Sequence, residues 1–411
     1  MRRRRVELGF RSETIRRANL SALVRELHIA GPLSRSELGA RTGLSRSAIR
    51  LLTSELAGAG LVREENGSAA GTPGRPSAVV RLRPDGAAAL ALDVAVDSIA
   101  AALVGLGGQV LRHERVNRPR EAFSLDQTTI QLVDIVDRLG RDARGLGPVV
   151  GVGVAFAGIV HQSDGVVAMA PNLGWRDVPL GQRLAAALDT PLSVHVANEA
   201  DLGALAEHRR GAAVGVNDVL YISGEVGVGG GVIVDGRPLT GASGYAGEVG
   251  HMPLVPSGRR CGCGSHGCWE TEIGERALLE RAGYAMDGGR DAVDELIRDA
   301  RLGSPRPLAA LDHVGTWLGR GIAALTNVLN PSLVVLGGLF QRIYLLVERP
   351  LMATLNELAL GPSARTVAVV PASLGIDAPL LGAAELAFEA LLEDPLSFAD
   401  GANQQKRRVV A

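Results

Sequence analysis

Residues 247–270, with the sequence GEVGHMPLVPSGRRCGCGSHGCWE, carry the most specific pattern in the chain. This stretch holds all three cysteines, and a histidine precedes them. Thiolate and imidazole groups are ligands that zinc prefers, and four of them complete a closed tetrahedral site. The spacing predicts one structural zinc ion with four protein ligands: His251, Cys261, Cys263 and Cys268. The alternatives are three unliganded thiols beside an unrelated histidine, or a catalytic Cys–His pair, and the tight clustering favours the metal.

Cysteine usage and composition limit the class of protein. An odd number of cysteines in one short segment argues against a disulfide framework, so we expect a cytoplasmic protein. No apolar run reaches the roughly 18–20 residues needed to cross a bilayer, and no apolar segment of a secretory signal follows the arginines of residues 2–5. Hydrophobic residues make up 46% of the 411 residues, which excludes global disorder.

The region around the motif, from residue 87 onward, consists of short apolar strands, glycine turns and Ala/Leu-rich helices. The strand–loop–strand pattern of residues 90–110 recurs at residues 219–239. Two similar halves predict an internally duplicated α/β fold with a cleft between two lobes, where ligands usually bind. The alternative is a single α/β domain whose hairpins are alike by chance.

A helix-turn-helix pattern lies near the N-terminus. Apolar residues at helical spacing over residues 12–29 end at a Gly-Pro pair, and Ser34 with Glu37 forms a capping box for a short second helix. Ser45 can cap a third helix, whose exposed start carries side chains that contact bases and phosphates. The DNA contacts predicted on these helices are Arg35, Ser45, Arg46, Ser47 and Arg50.

A wing is predicted after the third helix. A strand begins at residues 60–62, a tip rich in Gly, Ser and Ala follows, and a second strand returns over residues 78–82. Arg75 lies on the wing after this tip, where an extended arginine can enter a narrow minor groove. The sequence therefore predicts a winged helix-turn-helix, and the alternative is a small helical protein-interaction module.

The net charge of −1 conceals an uneven distribution. Residues 1–83 hold 16 Arg against 7 Glu, whereas the rest of the chain holds 27 basic and 37 acidic residues. A basic head on an acidic body indicates that only the head meets a polyanion such as DNA, although a basic solvated face is the alternative. All basic residues except Lys406 are arginines, so the Gly-Lys-Ser/Thr sequence of a P-loop is absent.

The motif and several further segments resemble the ROK family, named for repressors, open reading frames and sugar kinases. The resemblance runs from about residue 15 to residue 390 and rests on residues 170–175 (APNLGW), 196–201 (VANEAD), 329–331 (LNP), 337–338 (GG) and 380–384 (LLGAA). A basic head before such a body is similar to the family's winged-helix, sugar-responsive repressors of the xylose and N-acetylglucosamine types. The resemblance implies an α/β fold: a winged helix-turn-helix over residues 1–84, then a two-lobed, actin/hexokinase-like (ribonuclease H-like) domain over residues 85–393. A tail, residues 394–411, is expected to be disordered.

The resemblance also implies a set of sugar-binding residues. They are Asn198, Glu199, Glu248, His251 and Glu270, with Gly158 and Asn172 as additions. Carboxylates and a carboxamide can hold vicinal hydroxyl groups in paired hydrogen bonds. The alternative for each acid is an exposed, solvated carboxylate.

Departures from the family's kinases concern the phosphate loops. Those kinases have Asp-Ile-Gly-Gly-Thr-Lys on the first strand, whereas residues 93–98 read DVAVDS. Their second loop reads Gly-Thr-Gly-x-Gly-Gly-Gly, whereas residues 225–231 read EVGVGGG, which places a carboxylate where phosphate would lie. The position of the kinases' catalytic Asp is occupied by the longer Glu199. We therefore expect no catalytic residues and no kinase activity.

The sequence predicts a sugar-responsive, DNA-binding transcriptional regulator that represses carbohydrate-metabolism genes. The alternative is an ATP-dependent sugar kinase, or a bifunctional kinase and regulator, with a DNA-binding head. The partners implied are a double-stranded operator with an inverted repeat, a sugar or sugar derivative as effector, and further copies of the chain in a dimer or tetramer. No membrane partner is expected.

Overall fold

The computed structural model describes residues 4–65, 78–120, 123–141 and 146–397. The N-terminal part contains α1 (Arg4–Ala30), β1 (Leu33–Ser34), α2 (Arg35–Thr42), α3 (Arg46–Gly58), β2 (Val62–Glu65) and β3 (Val79–Leu82). The strands form a sheet in the order β1-β3-β2. The predicted winged helix-turn-helix is therefore confirmed, and its first helix begins earlier than the apolar pattern indicated. Arg75 and the tip of the wing lie outside the described residues.

Local hydrogen bonds explain where these helices begin and end. The capping box is present, because the backbone N–H of Glu37 donates to Ser34 Oγ (3.2 Å) and the N–H of Ser34 donates to a Glu37 carboxylate oxygen (2.7 Å). Gly43 ends α2 with φ at +71°, a conformation that favours glycine. Ser45 Oγ accepts from the N–H of Ala48 (3.3 Å) and caps α3.

The first lobe follows the head. Its elements are β4 (Ala88–Val94), β5 (Ser98–Gly105), β6 (Val110–Asn117), α4 (Leu125–Arg141), β7 (Val149–Phe156), β8 (Ile159–His161), β9 (Val166–Ala170), β10 (Trp175–Val178), α5 (Leu180–Ala187), β11 (Val194–Asn198) and α6 (Glu199–Arg210). The main sheet has the order β11-β7-β4-β5-β6, and β10-β9-β8 form a smaller sheet.

The second lobe contains the cysteine-rich stretch. Its elements are β12 (Val219–Gly224), β13 (Val228–Val234), β14 (Arg237–Pro238), a 3-10 turn (Val249–His251), α7 (Glu270–Ile273), α8 (Glu275–Ala282), α9 (Gly289–Arg301), α10 (Pro305–Leu329), β15 (Leu333–Gly338), α11 (Leu339–Leu358), α12 (Gly361–Ala364) and β16 (Ala368–Pro371). A second 3-10 turn (Gly375–Asp377) and the final helix, α13 (Ala378–Glu393), follow. Its sheet has the order β14-β13-β12-β15-β16.

The two main sheets confirm the predicted duplication. In each sheet an antiparallel hairpin, β4–β5 or β12–β13, continues into two further parallel strands, β7 and β11 or β15 and β16. The last helix, α13, returns to the first lobe and packs on β4, β7 and α6. No helix among the described residues is long and apolar enough to cross a membrane.

Helix α6 packs on strands of both lobes. It approaches β13 so closely that a Cβ atom on Gly231 would lie 2.6 Å from the carbonyl oxygen of Ala200. Residues Ala200–Glu207 of the helix are buried apart from the partly exposed Asp201. Gly229 and Gly231 are therefore required by the packing of α6, whatever binds in the cleft, whereas Gly230 faces Val249 and the carbonyl of Gly247.

The head shares its apolar core with the first lobe. Leu23 and Leu27 of α1 are fully buried in the same cluster as Phe388 and Leu391 of α13. The His28 ring packs edge-on against Phe388, with ring centroids 5.3 Å apart. The head is therefore attached through buried contacts as well as through the chain connection.

Candidate functional site

A cavity of about 120 Å³ lies in the cleft between the lobes. Its lining includes every residue predicted to bind sugar: Gly158, Asn172, Asn198, Glu199, Glu248, His251 and Glu270. Segments far apart in the sequence thus converge on one space. Polar side chains around such a cavity can hold a small ligand with several hydroxyl groups.

Asn198 and Glu199 reach the cavity from the junction of β11 and α6. The Asn198 carboxamide oxygen accepts from the N–H of Ala200 (2.7 Å), and its nitrogen donates to the carbonyl of Gly158 (2.9 Å). Asn198 is therefore the N-cap of α6 as well as a lining residue. Glu199 begins the helix and forms no hydrogen bond or ion pair with any described residue.

The four predicted metal ligands form a compact cluster in which one ligand atom of each lies within 4.8 Å of the others. Cys263 Sγ is 3.7 Å from Cys268 Sγ, and Cys261 Sγ is 3.7 Å from His251 Nδ1. Two sulfurs bound tetrahedrally at about 2.3 Å from one zinc lie about 3.8 Å apart, so the distances fit a metal ion. Gly264 and Gly267 have positive φ, which allows the loop to turn tightly enough for this convergence.

The cluster is continuous with the cavity. Nδ1 of His251 faces Cys261, whereas its Nε2 lies 3.9 Å from a carboxylate oxygen of Glu248. Glu270 Oε1 lies 2.8 Å from Cys261 Sγ. The cysteine loop therefore positions the side chains of Glu248, His251 and Glu270 that line the cavity.

Carboxylates dominate the electrostatics of the cavity, because Asp97 and Glu225 line it together with the three predicted acids. Burial, followed by repulsion from Asp93, Glu225 and Asp97, raises the pKa of Glu199 to about 8. Burial also raises the pKa of Glu225 to about 7, although Arg290 opposes this shift. Near neutral pH such acids can both donate and accept hydrogen bonds, which suits hydroxyl groups.

Ion pairs link the two lobes beside this cavity. Arg290 of α9 contacts Asp97 of the first lobe (3.3 Å) and Glu225 of the second (3.4 Å). Arg120 of the first lobe contacts Asp97 (3.1 Å) and Glu275 of α8. Burial alone would raise the pKa of Asp97, but Arg290 and Arg120 hold it below its ordinary value. Sequence reasoning missed this network because no local signal pairs residues so far apart.

The family is shown by comparison with known proteins. The model of the ROK family matches residues 89–390. The chain belongs to the ROK family. It is similar to the xylose repressor of Bacillus spizizenii, with 28% identity over 92% of this chain and 97% of that protein. It is also similar to the glucokinase of Streptomyces coelicolor, with 33% identity over 73% of this chain and 97% of that enzyme.

The solved structures that are similar to this chain also include both a regulator and a kinase. A ROK family transcriptional regulator, a homologue of the Escherichia coli MLC protein, has a TM-score of 0.77 at 26% identity and covers 94% of this chain and 99% of its own. A ROK glucokinase from Streptomyces griseus in complex with glucose and AMPPNP has a TM-score of 0.61 at 31% identity, covering 73% and 99%. The similarity to this regulator therefore includes the head of the ROK protein, whereas the similarity to the glucokinase leaves about a quarter of the chain unmatched.

Within the head of this ROK protein, two arginines differ from the others. Among the side chains of residues 13–65 and 78–83, every arginine except Arg46 and Arg50 forms an ion pair with an acid. Both lie exposed on α3, with exposed Ser45 and Ser47 beside them. Arg35, by contrast, pairs with Glu64 of the wing. The exposed positive charge of α3 is therefore available to a polyanion.

The junction between head and body is ionic as well as apolar. Glu385 of α13 is buried and accepts hydrogen bonds from His28 Nε2 (3.0 Å) and Arg209 (3.0 Å), and Arg210 also donates to it. The N–H of Gly107 donates to His28 Nδ1 (3.1 Å). Burial alone would raise the pKa of Glu385, but His28 and the arginines lower it well below its ordinary value.

Proposed function

We propose that this ROK protein is a sugar-responsive transcriptional repressor of carbohydrate-metabolism genes, with a sugar in the interlobe cavity as effector and operator DNA on the head. Helix α6 is the observation that carries the proposal. It starts with Asn198 and Glu199 at the cavity and ends with Arg209 and Arg210 at the contact with His28 and Glu385. The repressors found among its relatives support this function.

The length of α6 allows it to carry a displacement from the effector cavity to the contact with the head. The helix has 12 residues, which corresponds to about 18 Å. Because its middle is buried between the sheets, it moves as a unit when its first turn is displaced. A ligand that shifts Glu199 would therefore change the surroundings of His28, and a ligand acts on DNA binding through such differential contacts.

The same cavity argues against phosphoryl transfer. Glu225 and Asp97 lie with Arg290 at the position of the kinases' phosphate loops, so incoming phosphates meet carboxylates instead of open backbone. Of the glycines that remain in residues 225–231, Gly229 and Gly231 are accounted for by contact with α6. The glucokinase relatives favour the alternative of a kinase. ATP-dependent turnover of any sugar at ordinary enzymatic rates would overturn this part of the proposal.

A structural zinc ion is part of the proposal. His251, Cys261, Cys263 and Cys268 would bind it in a closed tetrahedral site, and the ion would fix the loop that carries the lining acids. The ion would supply structural rigidity and no catalysis, because four protein ligands leave no position for water or substrate.

Operator recognition is assigned to α3, with Arg46 and Arg50 as its charged contacts and Arg35, Ser45, Ser47 and Arg75 as further candidates. One helix-turn-helix reads few base pairs, so the operator is expected to be an inverted repeat bound by a dimer or tetramer. The domain division at residues 84 and 85 belongs to the same proposal.

The decisive experiment combines effector screening with operator binding. Full-length protein is heated with a panel of sugars, and a bound effector raises the melting temperature by mass action. A fragment of upstream DNA protected by the protein is then titrated with and without that sugar. The proposal requires one sugar to change both readouts, and it fails if no sugar changes either.

A further inference from the structure

A second cavity adjoins the proposed sugar cavity. It measures about 210 Å³, against about 120 Å³ for the first, and lies beyond Glu270 beside the start of α8. The two cavities share lining residues, namely Asn172, Val226, Gly227, Gly262 and Glu270. They are therefore adjacent, and a ligand whose ring fills the first can reach toward the second past these shared residues.

The charges of the second cavity are opposite to those of the first. Arg259, Arg260 and Arg276 line it. Arg259 pairs with Glu280, which also lines the cavity, so this pair is neutral. Arg260 and Arg276 are exposed, and neither forms an ion pair or side-chain hydrogen bond with any described residue. When the charges of Glu270 and Glu280 are counted against the three arginines, one positive charge remains in excess in the second cavity.

The two adjacent cavities therefore suit different chemical groups of a ligand. The first cavity is lined by acidic side chains, which can exchange hydrogen bonds with hydroxyl groups. A guanidinium group presents several N–H donors in a planar array that matches the oxygens of a phosphate or a carboxylate. A neutral sugar would occupy the first cavity and leave both free arginines without a matching partner.

Resting on the proposed function, we infer that the effector is a sugar that carries an anionic group, a phosphate or a carboxylate. Its ring lies among Glu199, Glu248 and Glu270, and its anion lies between Arg260 and Arg276. Because both arginines are exposed, their attraction for the anion weakens as salt concentration rises.

The test is calorimetric titration of the full-length protein with matched probes. The probes are glucose, xylose and N-acetylglucosamine, the 1- and 6-phosphates of the hexoses, glucuronic acid, and the neutral disaccharides maltose and cellobiose. We expect one anionic sugar to bind about tenfold or more tightly than its neutral parent. In the double variant Arg260→Ala, Arg276→Ala this advantage should largely disappear, while the affinity for the parent sugar changes by no more than about twofold.

A charge-matched control is available in the same lobe. Arg298 and Arg349 are exposed and line neither cavity, so Arg298→Ala, Arg349→Ala removes the same charge and should retain the preference for the anion. Tightest binding by a neutral sugar or disaccharide would overturn the inference and leave the proposed function standing. Loss of the preference in the control, or its persistence in the cavity variant, would also overturn it. Binding of no sugar would overturn the proposed function and this inference together.

Discussion

The Nε2 atom of His28, in the first helix of the head, lies 3.0 Å from a carboxylate oxygen of Glu385, in the last helix of the body. Both side chains are almost completely buried. Arg209 and Arg210 at the end of α6 donate to the same carboxylate. One buried acid therefore joins the head, the helix that begins at the effector cavity, and the C-terminal helix.

Removal of this charge should lower stability in a pH-dependent way. Glu385→Gln leaves two arginines facing a neutral group, and breaking a buried pair costs about 3–5 kcal/mol. The folded-state pKa of Glu385 is below its ordinary value of 4.5, so its contribution is complete above about pH 4.5 and is lost as the pH falls toward the folded-state value. Urea unfolding at pH 7 should show the full difference between wild type and variant, and this difference should shrink below pH 4.5. Glu393→Gln, at an exposed position of the same helix, is the control and should show little loss at either pH.

Arg210→Gln tests the coupling itself. The change weakens the contact of α6 with Glu385 and with the carbonyl of Gly107, and it leaves every cavity residue in place. We expect effector affinity in the absence of DNA to stay within about twofold of wild type, and the sugar-induced change in operator affinity to fall severalfold. An operator affinity that responds to the sugar as in wild type would contradict transmission through α6.

The zinc prediction is tested at two positions of one loop. Cys263→Ser removes a predicted ligand, so the purified protein should lose stoichiometric zinc and also the sugar response, because Glu248 and Glu270 depend on the loop. His266→Ala changes an exposed residue of the same loop that is not part of the cluster. Elemental analysis should find zinc in the His266 variant, and a zinc-free wild type would refute the assignment.

Local patterns made much of the head and the cysteine loop predictable. The capping boxes of helices depend on neighbours within a few residues, and that of Ser34 and Glu37 occurs as predicted. The spacing of Cys261, Cys263 and Cys268 likewise defines a single loop. Relations between distant segments were beyond the same reasoning. Nothing local to Arg120 indicates Glu275, and no pattern indicates that Gly229 and Gly231 serve to admit α6.

Loss of effector binding is predicted for Glu248→Gln. Glu248 lines the cavity and faces Nε2 of His251, and its replacement should remove one charged acceptor for a sugar hydroxyl. Operator binding without sugar should persist, and the sugar concentration that changes operator affinity should rise about tenfold or more. Asn198→Ala should combine the same defect with about 1 kcal/mol of lost stability, because Asn198 caps α6. A wild-type sugar response in the Glu248 variant would refute the proposed contact.

The last prediction concerns DNA, and it rests on the two arginines of α3 that no acid of the described residues neutralises. Arg46 and Arg50 lie one helical turn apart and so project to the same side. If one reads a base, its replacement by alanine costs about 1–3 kcal/mol and relaxes specificity at one operator position. If it contacts phosphate, binding weakens for all sequences and the dependence on salt becomes shallower.

Arg41→Ala is the control, because Arg41 is exposed on the preceding helix but pairs with Glu26. Salt-dependent titrations of the three variants on specific and nonspecific DNA separate these effects. Because Arg41 is already paired with an acid, Arg41→Ala should reduce DNA affinity least. An equal reduction in all three variants would assign the effect to overall charge and not to the recognition helix.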